Sequence, residues 1–231
     1  MRIEWFKSLT FPRIFPFALF MAFVGLEELA RFMERHWALP FHEHLTFFVY
    51  PMKALTVGAA LLFFRTLYYE IKWRDLTKLS HSLTSLATGV LVFVMWINVD
   101  YSFGAEGKGF DPTLLKGDMA RALSIAVRLL GAVVIVPIME ELFWRSFLIR
   151  YITDKQFDTI PIGFFSWPSF VISSILFGLE HHLIIAGILG GLAYNLLLYG
   201  TKSISQCILS HGVTNLCLGI YVLSTGQWRF W

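Results

Sequence analysis

Glu140 and Glu141, followed four residues later by Arg145, lie inside the apolar run ValIleValProIleMetGluGluLeuPheTrpArg. Glu141 and Arg145 are about one helical turn apart on a shared face and can form an ion pair, whereas Glu140 points about 100° away and needs another partner. One carboxylate is held and one is free. Two further pairs at the same four-residue spacing follow in apolar sequence, Phe177 with His181 and His211 with Asn215, and each pair shares one helix face. A carboxylate, two imidazoles and an amide gathered in a dry cavity suit attack by an activated water on an acyl carbon, with no covalent nucleophile. Burial and the neighbouring arginine divide the two carboxyls into a fixed anion and a group able to exchange protons. His181 can then hold the water or carry its proton. His211 and Asn215 can donate hydrogen bonds to the oxyanion of a tetrahedral intermediate.

These groups stand where the solvent is not water. The chain has 231 residues, of which 56% are hydrophobic and only 15% charged, and it contains 23 Phe, 8 Tyr and 8 Trp. With a mean hydropathy of +0.63, that is more apolar surface than a soluble globule of this size can hide. The composition excludes a secreted disulfide scaffold, a disordered tail and a nucleic-acid binder with a basic face. The fold expected is an all-α, polytopic transmembrane helical bundle. Runs of about 20 apolar residues predict seven helices near 14–33, 45–69, 83–99, 122–150, 166–184, 186–200 and 203–224. The short sixth run contains Gly187, Gly190 and Gly191, which signal either close packing or a broken helix. With no compositional break or fixed-period repeat, residues 1–231 read as a single membrane domain whose motif-bearing part is 120–223.

A charge at the centre of a membrane helix costs about 2.5–3.5 kcal/mol on insertion scales, so three in one run need compensation by more than packing. Pro137 additionally loosens the backbone one turn before Glu141. Counted from the expected cytoplasmic ends, Glu140, His181 and His211 lie about 15, 20 and 12 Å deep, a spread that lets them meet in one layer.

Arg2, Lys7, Arg13, Lys72, Arg74, Lys78, Arg150, Lys155 and Lys202 fall on one side, against Arg35, Lys108, Lys116 and Arg229 on the other, which predicts a cytoplasmic N-terminus. The first apolar run has basic residues ahead of it but no small-residue cleavage site behind it, and reads as a retained helix. The connection at 100–120, with Gly104, Gly107, Gly109 and Pro112 among Asp100, Glu106, Asp111 and Asp118, reads as an exposed turn-rich loop. Glu27, Glu28, Arg31, Glu34 and Arg35 read as an interfacial ladder of ion pairs. Lys53, Arg65 and Arg128 read as snorkelling side chains without a catalytic role. PheTrp at 143–144 and the terminal TrpArgPheTrp read as lipid contacts in an aromatic belt.

GluGluxxxArg, PhexxxHis and HisxxxAsn, in this order on successive apolar helices, resemble the CAAX prenyl-protease and bacteriocin-processing family (CPBP, or Abi). The resemblance covers about residues 120–223. It implies an intramembrane glutamate-type endopeptidase without a cofactor or metal, acting on a membrane-associated peptide or protein, near the C-terminus of a lipidated substrate in some members. Carried over by position, Glu140 resembles the water-activating base with His181 beside it, His211 and Asn215 resemble the oxyanion-stabilising pair, and Glu141 and Arg145 look like supporting residues.

Three other readings compete. A zinc hydrolase could draw ligands from Glu140, His181, His182 and His211, although the chain lacks a HisGluxxHis helix and the HisGluHis cluster at 42–44 reads as interfacial. A thiol enzyme could use Cys207, which shares a helical face with His211, but a lone cysteine in an apolar helix is usually a packing residue. Cys207 and Cys217, ten residues apart, cannot bridge each other if helical. From a different class, a noncatalytic membrane immunity or peptide-binding protein could use the same polar cavity without cleaving what enters it.

Overall fold

The computed structural model describes residues 9–37, 42–99 and 110–231, and among them it is all-helical, as the composition implies. Seven helices follow in order: α1 (Phe11–Trp37), α2 (His42–Phe63), α3 (Leu79–Asn98), α4 (Asp118–Thr153), α5 (Trp167–Leu179), α6 (Ile184–Thr201) and α7 (Ile204–Thr225). Each coincides with one of the seven expected segments. Arg2, Lys7, Lys108 and the loop residues Asp100, Gly104, Glu106, Gly107 and Gly109 lie outside the described residues, as do the side chains of Arg35, His42, Glu43 and His44.

Four helices, α3, α4, α6 and α7, are long and apolar enough to cross a bilayer, while Phe47–Phe63 and α5 are shorter apolar helices. The protein is an integral membrane protein. α4, at 36 residues, is about 54 Å long, well beyond a hydrocarbon core of about 30 Å. Its first third, Asp118–Leu130, carries Asp118, Arg121 and Arg128 and buries no side chain. Its remainder is the axis of the fold, because it contributes to three separate apolar clusters: Met139 and Leu142 pack on Val57, Leu61 and Phe64, Ile149 packs with Leu197, Leu198 and Ile208, and Trp144 packs with Val92, Phe177 and Tyr194.

α5 ends at Leu179, five residues before the expected boundary, where the polar run Glu180, His181 and His182 forms a tight turn into α6. The hairpin closes through glycine. A Cβ on Gly187 would come within 2.8 Å of the Gly178 Cα, and one on Gly191 within 3.0 Å of the Ser174 Cα. The glycines of the sixth segment therefore serve close packing, and α6 is unbroken from Ile184 to Thr201.

One end of the bundle is tied by buried polar bonds. Arg13 grips Glu70 through Nε (2.7 Å) and Nη2 (2.6 Å), and both side chains are fully buried. Ser146 of α4 donates to the same carboxylate, and Arg150 donates to the Ser146 hydroxyl at 2.9 Å. This joins α1, the α2–α3 connection and α4 where the sequence places one set of basic residues. A second tie runs from the same connection to α7: Ser203 Oγ donates to Asp75 at 2.7 Å and Gln206 Nε2 to the Asp75 carbonyl at 2.8 Å. The hydrogen bond from Ser203, aided by Lys78, holds the Asp75 carboxyl below the usual carboxylate range against an opposing desolvation.

Because an uncompensated buried charge is far costlier than a pair, Glu70→Ala, which strands Arg13, is expected to destabilise the protein by about 3–5 kcal/mol, and an unaltered thermal midpoint in detergent would refute the role given to this pair. A depressed folded pKa contributes stability that is present above the unfolded value and lost as pH falls through the folded one. Ser203→Ala is thus expected to cost about 1.5 kcal/mol near neutrality, with the gap to wild type closing in acid. A gap that stays constant down to acid pH would contradict it.

Candidate active site

Glu141 is fully buried, and its Oε1 accepts from Arg145 Nη1 at 3.1 Å and faces His211 Nδ1 at 2.9 Å. The i to i+4 ion pair expected within α4 is present. Arg145, 1% exposed, extends further: its Nε donates to Asn195 Oδ1 at 3.2 Å, and the Asn195 amide donates to Ser173 and Ser174, each at 2.9 Å. Its guanidinium lies 4.3 Å from the Phe177 ring centre and 5.1 Å from that of Tyr194. Two of its nitrogens are met by hydrogen bonds and its flat group by two rings, which offsets the desolvation of the guanidinium.

With Glu141 so engaged, the His211 ring is fixed from α7. Tyr194 stacks on it with centres 5.1 Å apart and donates its own hydroxyl proton to Thr214 at 2.7 Å. His211 Nε2 is then left facing Glu140, 4.0 Å from Oε2. That is too long for a direct hydrogen bond and right for one bridging atom. Glu140 is buried, and its Oε2 has no hydrogen-bond partner among the described residues.

The local course of α4 explains how Glu140 and Asn215 come to share this space. Over Gly131–Ile135 the helix widens into a π turn, with Val136 N–H bonding to the Gly131 carbonyl. The next bond in that register would run from residue 137 to the Ala132 carbonyl, but Pro137 has no N–H. Asn215 Nδ2 supplies it at 2.7 Å. One amide proton of Asn215 therefore repairs the backbone that Pro137 leaves open, and the other remains. Gly212, one turn before Asn215, brings α7 close: a Cβ there would lie 3.0 Å from the Val133 carbonyl. The widened turn also alters phase. Twelve residues of regular helix would separate Arg128 from Glu140 by about 120°, but a π turn rotates less per residue, and both side chains line the same hollow.

Glu140, His181, His211 and Asn215 all lie on the wall of one cavity of about 230 Å³, among Phe20, Trp96, Phe177, Leu218 and Trp231. Glu141 and Arg145 sit behind that wall. His181 is not on a helix: it is held in the turn after α5, with its Nδ1 donating to the Phe177 carbonyl at 2.7 Å, so the Phe177 and His181 spacing is realised as a terminal ring-to-backbone bond. Its Nε2 is left as the acceptor of the neutral ring.

The structure adds residues that the sequence reading left out. Glu180, beside His181, lines the adjoining lobe of the hollow with Glu140, and its Oε1 accepts from Trp144 Nε1 at 3.1 Å. An acid next to two histidines in apolar sequence was the available signal. Tyr194 and Asn195 were hidden in the sixth segment. Lys53 and Arg128 line the hollow instead of snorkelling: Lys53 pairs with Glu27 at 3.0 Å, and Arg128 lies 4.3 Å from the Tyr50 ring centre. Of the expected ladder on α1, Arg31 and Glu28 pair at 2.9 Å, while Glu27 reaches across to α2. Phe143 is half-buried and stacks 3.9 Å from Phe17, Trp144 is buried in the protein interior and not at the lipid surface, and Trp231 faces the hollow.

Ligand atoms of Glu140, Glu180 and His181 lie within 4.8 Å of one another, a spacing that a divalent cation could also use. Cys207, fully buried with its Sγ 3.8 Å from the Tyr194 carbonyl, takes no part in the cavity.

If the bond from Asn215 substitutes for the missing Pro137 N–H, Asn215→Ala costs about 1–3 kcal/mol of stability in the native background. It costs measurably less in Pro137→Ala, where the backbone donor is restored. A double-mutant cycle in detergent reads the coupling, and additive effects would show that the two residues act independently.

No curated protein and no solved structure matches the chain. Residues 122–217 match the family described as Rce1-like type II CAAX prenyl endopeptidases, and every residue of the three motifs falls within that span. The matched family is the one that the three motifs resemble.

Proposed function

We propose that the protein is an intramembrane endopeptidase in which Glu140 takes a proton from water as that water attacks a peptide carbonyl near the C-terminus of a membrane-associated substrate. The observation that carries this reading is the meeting of Glu140, His181, His211 and Asn215 on one partly apolar cavity wall. Glu140 has an oxygen that no hydrogen bond engages, which is what a base must offer. The 4.0 Å between that oxygen and His211 Nε2 suits a water or the developing oxyanion. His181 Nε2, unencumbered because Nδ1 is tied to Phe177, accepts a hydrogen bond from the attacking water and orients it.

Oxyanion stabilisation falls to His211 and to the second amide proton of Asn215. For Nε2 of His211 to donate, the ring must carry both protons, and Glu141, bonded to Nδ1 and anchored by Arg145, is the counter-charge for that imidazolium. Glu141 and Arg145 thus act through His211 and are positioning residues. Phe20, Trp96, Phe177, Leu218 and Trp231 give an apolar enclosure suited to a lipid-borne peptide. The chemistry needs no metal. The seven basic residues described at the end holding the Arg13–Glu70 pair and Asp75 support a cytoplasmic placement of that end.

The test is hydrolysis by the purified full chain of a farnesylated peptide ending in a CAAX-type sequence. Glu140→Gln is expected to lower kcat by about 10²–10⁴-fold and Asn215→Asp or His211→Gln by about 10²–10³-fold, with the fold retained and activity unchanged by a strong chelator. Undiminished cleavage in Glu140→Gln, or loss on chelation that zinc restores, would contradict the mechanism. Binding of the peptide with no cleavage by wild type would point to the noncatalytic reading.

A further inference from the structure

Glu180 is outside all three motifs, yet it lines the same lobe of the hollow as Glu140. Ligand atoms of Glu140, Glu180 and His181 are mutually within 4.8 Å. Oε2 of Glu140 and Oε2 of Glu180 are both buried and without a hydrogen-bond partner among the described residues. The other oxygen of Glu180 is engaged: Trp144 Nε1, one turn beyond Glu140 on α4, donates to it at 3.1 Å. The Trp144 bond fastens the carboxyl of a turn to the helix that bears Glu140 and leaves its second oxygen without a hydrogen bond, in a side chain that lines the same lobe as Glu140. Two carboxylates within 4.8 Å of each other, in a lobe lined by Phe17, Phe20, Trp96 and Leu183 as well as by Lys53 and Arg128, repel each other when both are charged, and one proton between them removes the repulsion.

We infer that Glu180 is the general acid of the reaction, paired with Glu140 through one shared proton. The inference rests on the water-activation reading above and adds a second catalytic residue to it. At the start Glu140 is the anion and Glu180 carries the proton. Glu140 takes one proton from water as the water oxygen bonds to the carbonyl carbon and the C=O π electrons move to oxygen. The tetrahedral intermediate then re-forms C=O and breaks the C–N bond. The departing nitrogen keeps that bonding pair and receives the proton of Glu180, leaving as an amine. The products are a carboxylic acid and an amine, Glu140 is protonated and Glu180 is the anion. Transfer of the proton from Glu140 to Glu180, whose ligand atoms lie within 4.8 Å of each other, restores the starting state. Water supplies every atom added, and no oxidant or metal is needed.

Leaving-group chemistry separates this role from every other. An amine leaves poorly without a proton, whereas an alcohol from an ester leaves far more readily, so a missing general acid harms amide hydrolysis selectively. The probes are the farnesylated CAAX-type peptide and its depsipeptide, in which an ester oxygen replaces the scissile N–H, given to the full chain in lipid nanodiscs. Glu180→Gln keeps the size of the side chain and the acceptor for Trp144. It is expected to cut kcat on the amide by about 10²–10⁴-fold while ester cleavage stays within about tenfold of wild type, which also shows that the variant is folded. Glu140→Gln is expected to lose both. Unchanged amide cleavage in Glu180→Gln overturns the inference, and so does an equal fall on amide and ester, the pattern of a structural or metal-holding residue. If Glu140→Gln still cleaves both probes, or wild type cleaves neither, the water-activation reading fails and this inference falls with it.

Discussion

A buried carboxylate in the middle of an apolar helix must be met by opposite charge and hydrogen bonds, and the arrangement around α4 follows from meeting that demand once and not twice. Glu141 is bonded to Arg145 and His211, and Arg145 is passed on to Asn195 and through it to Ser173 and Ser174. This chain draws α4, α5, α6 and α7 together at one level. Glu140, next in sequence but round the helix, receives no such partner and faces the hollow. Rigid compensation of one acid leaves an oxygen of its neighbour without a hydrogen-bond partner among the described residues.

The same helix is irregular beside the hollow. Pro137 and the widened turn at Gly131–Ile135 cost a backbone hydrogen bond inside the membrane, where an unmet carbonyl is expensive. Asn215 meets the Ala132 carbonyl from α7, so the repair of α4 and the placement of a polar group at the cavity are a single contact. Away from the cavity, the Arg13, Glu70, Ser146 and Arg150 cluster fastens the far end of α4 to α1 and to the α2–α3 connection. α4 is therefore held at both ends of its buried stretch, and the side chains between have fixed positions.

Helix number and type were legible because the signal is large: runs of about 20 apolar residues allow little else in a bilayer. The Glu141 and Arg145 pair was legible because i to i+4 spacing in one helix is local geometry. What depended on the junction between helices was not. The end of α5 at Leu179 follows from a polar turn packed on Gly187, a contact between two helices, and it moved His181 from a helix face into a turn. Arg128 was read as a snorkelling side chain, and the π turn that helps bring it to the same hollow as Glu140 leaves no compositional mark except a glycine and a nearby proline. Asn195 looked like one polar residue in an uncertain short segment, and only the packed structure shows it as the acceptor for Arg145. Trp144, read as a lipid-facing aromatic, is buried against Val92, Phe177 and Tyr194 and bonds to Glu180, contacts that only the packed helices create.

The claim at the centre is that an oxygen from water, and not one from Glu140, becomes part of the product acid. Single-turnover cleavage of the farnesylated peptide in ¹⁸O-labelled water, followed by mass spectrometry of product and protein, reads this directly. The account predicts one labelled oxygen in the new carboxyl group of the product and none in the protein. An unlabelled product together with label in the peptide that contains Glu140 would mean that the side chain itself attacks, and would contradict it.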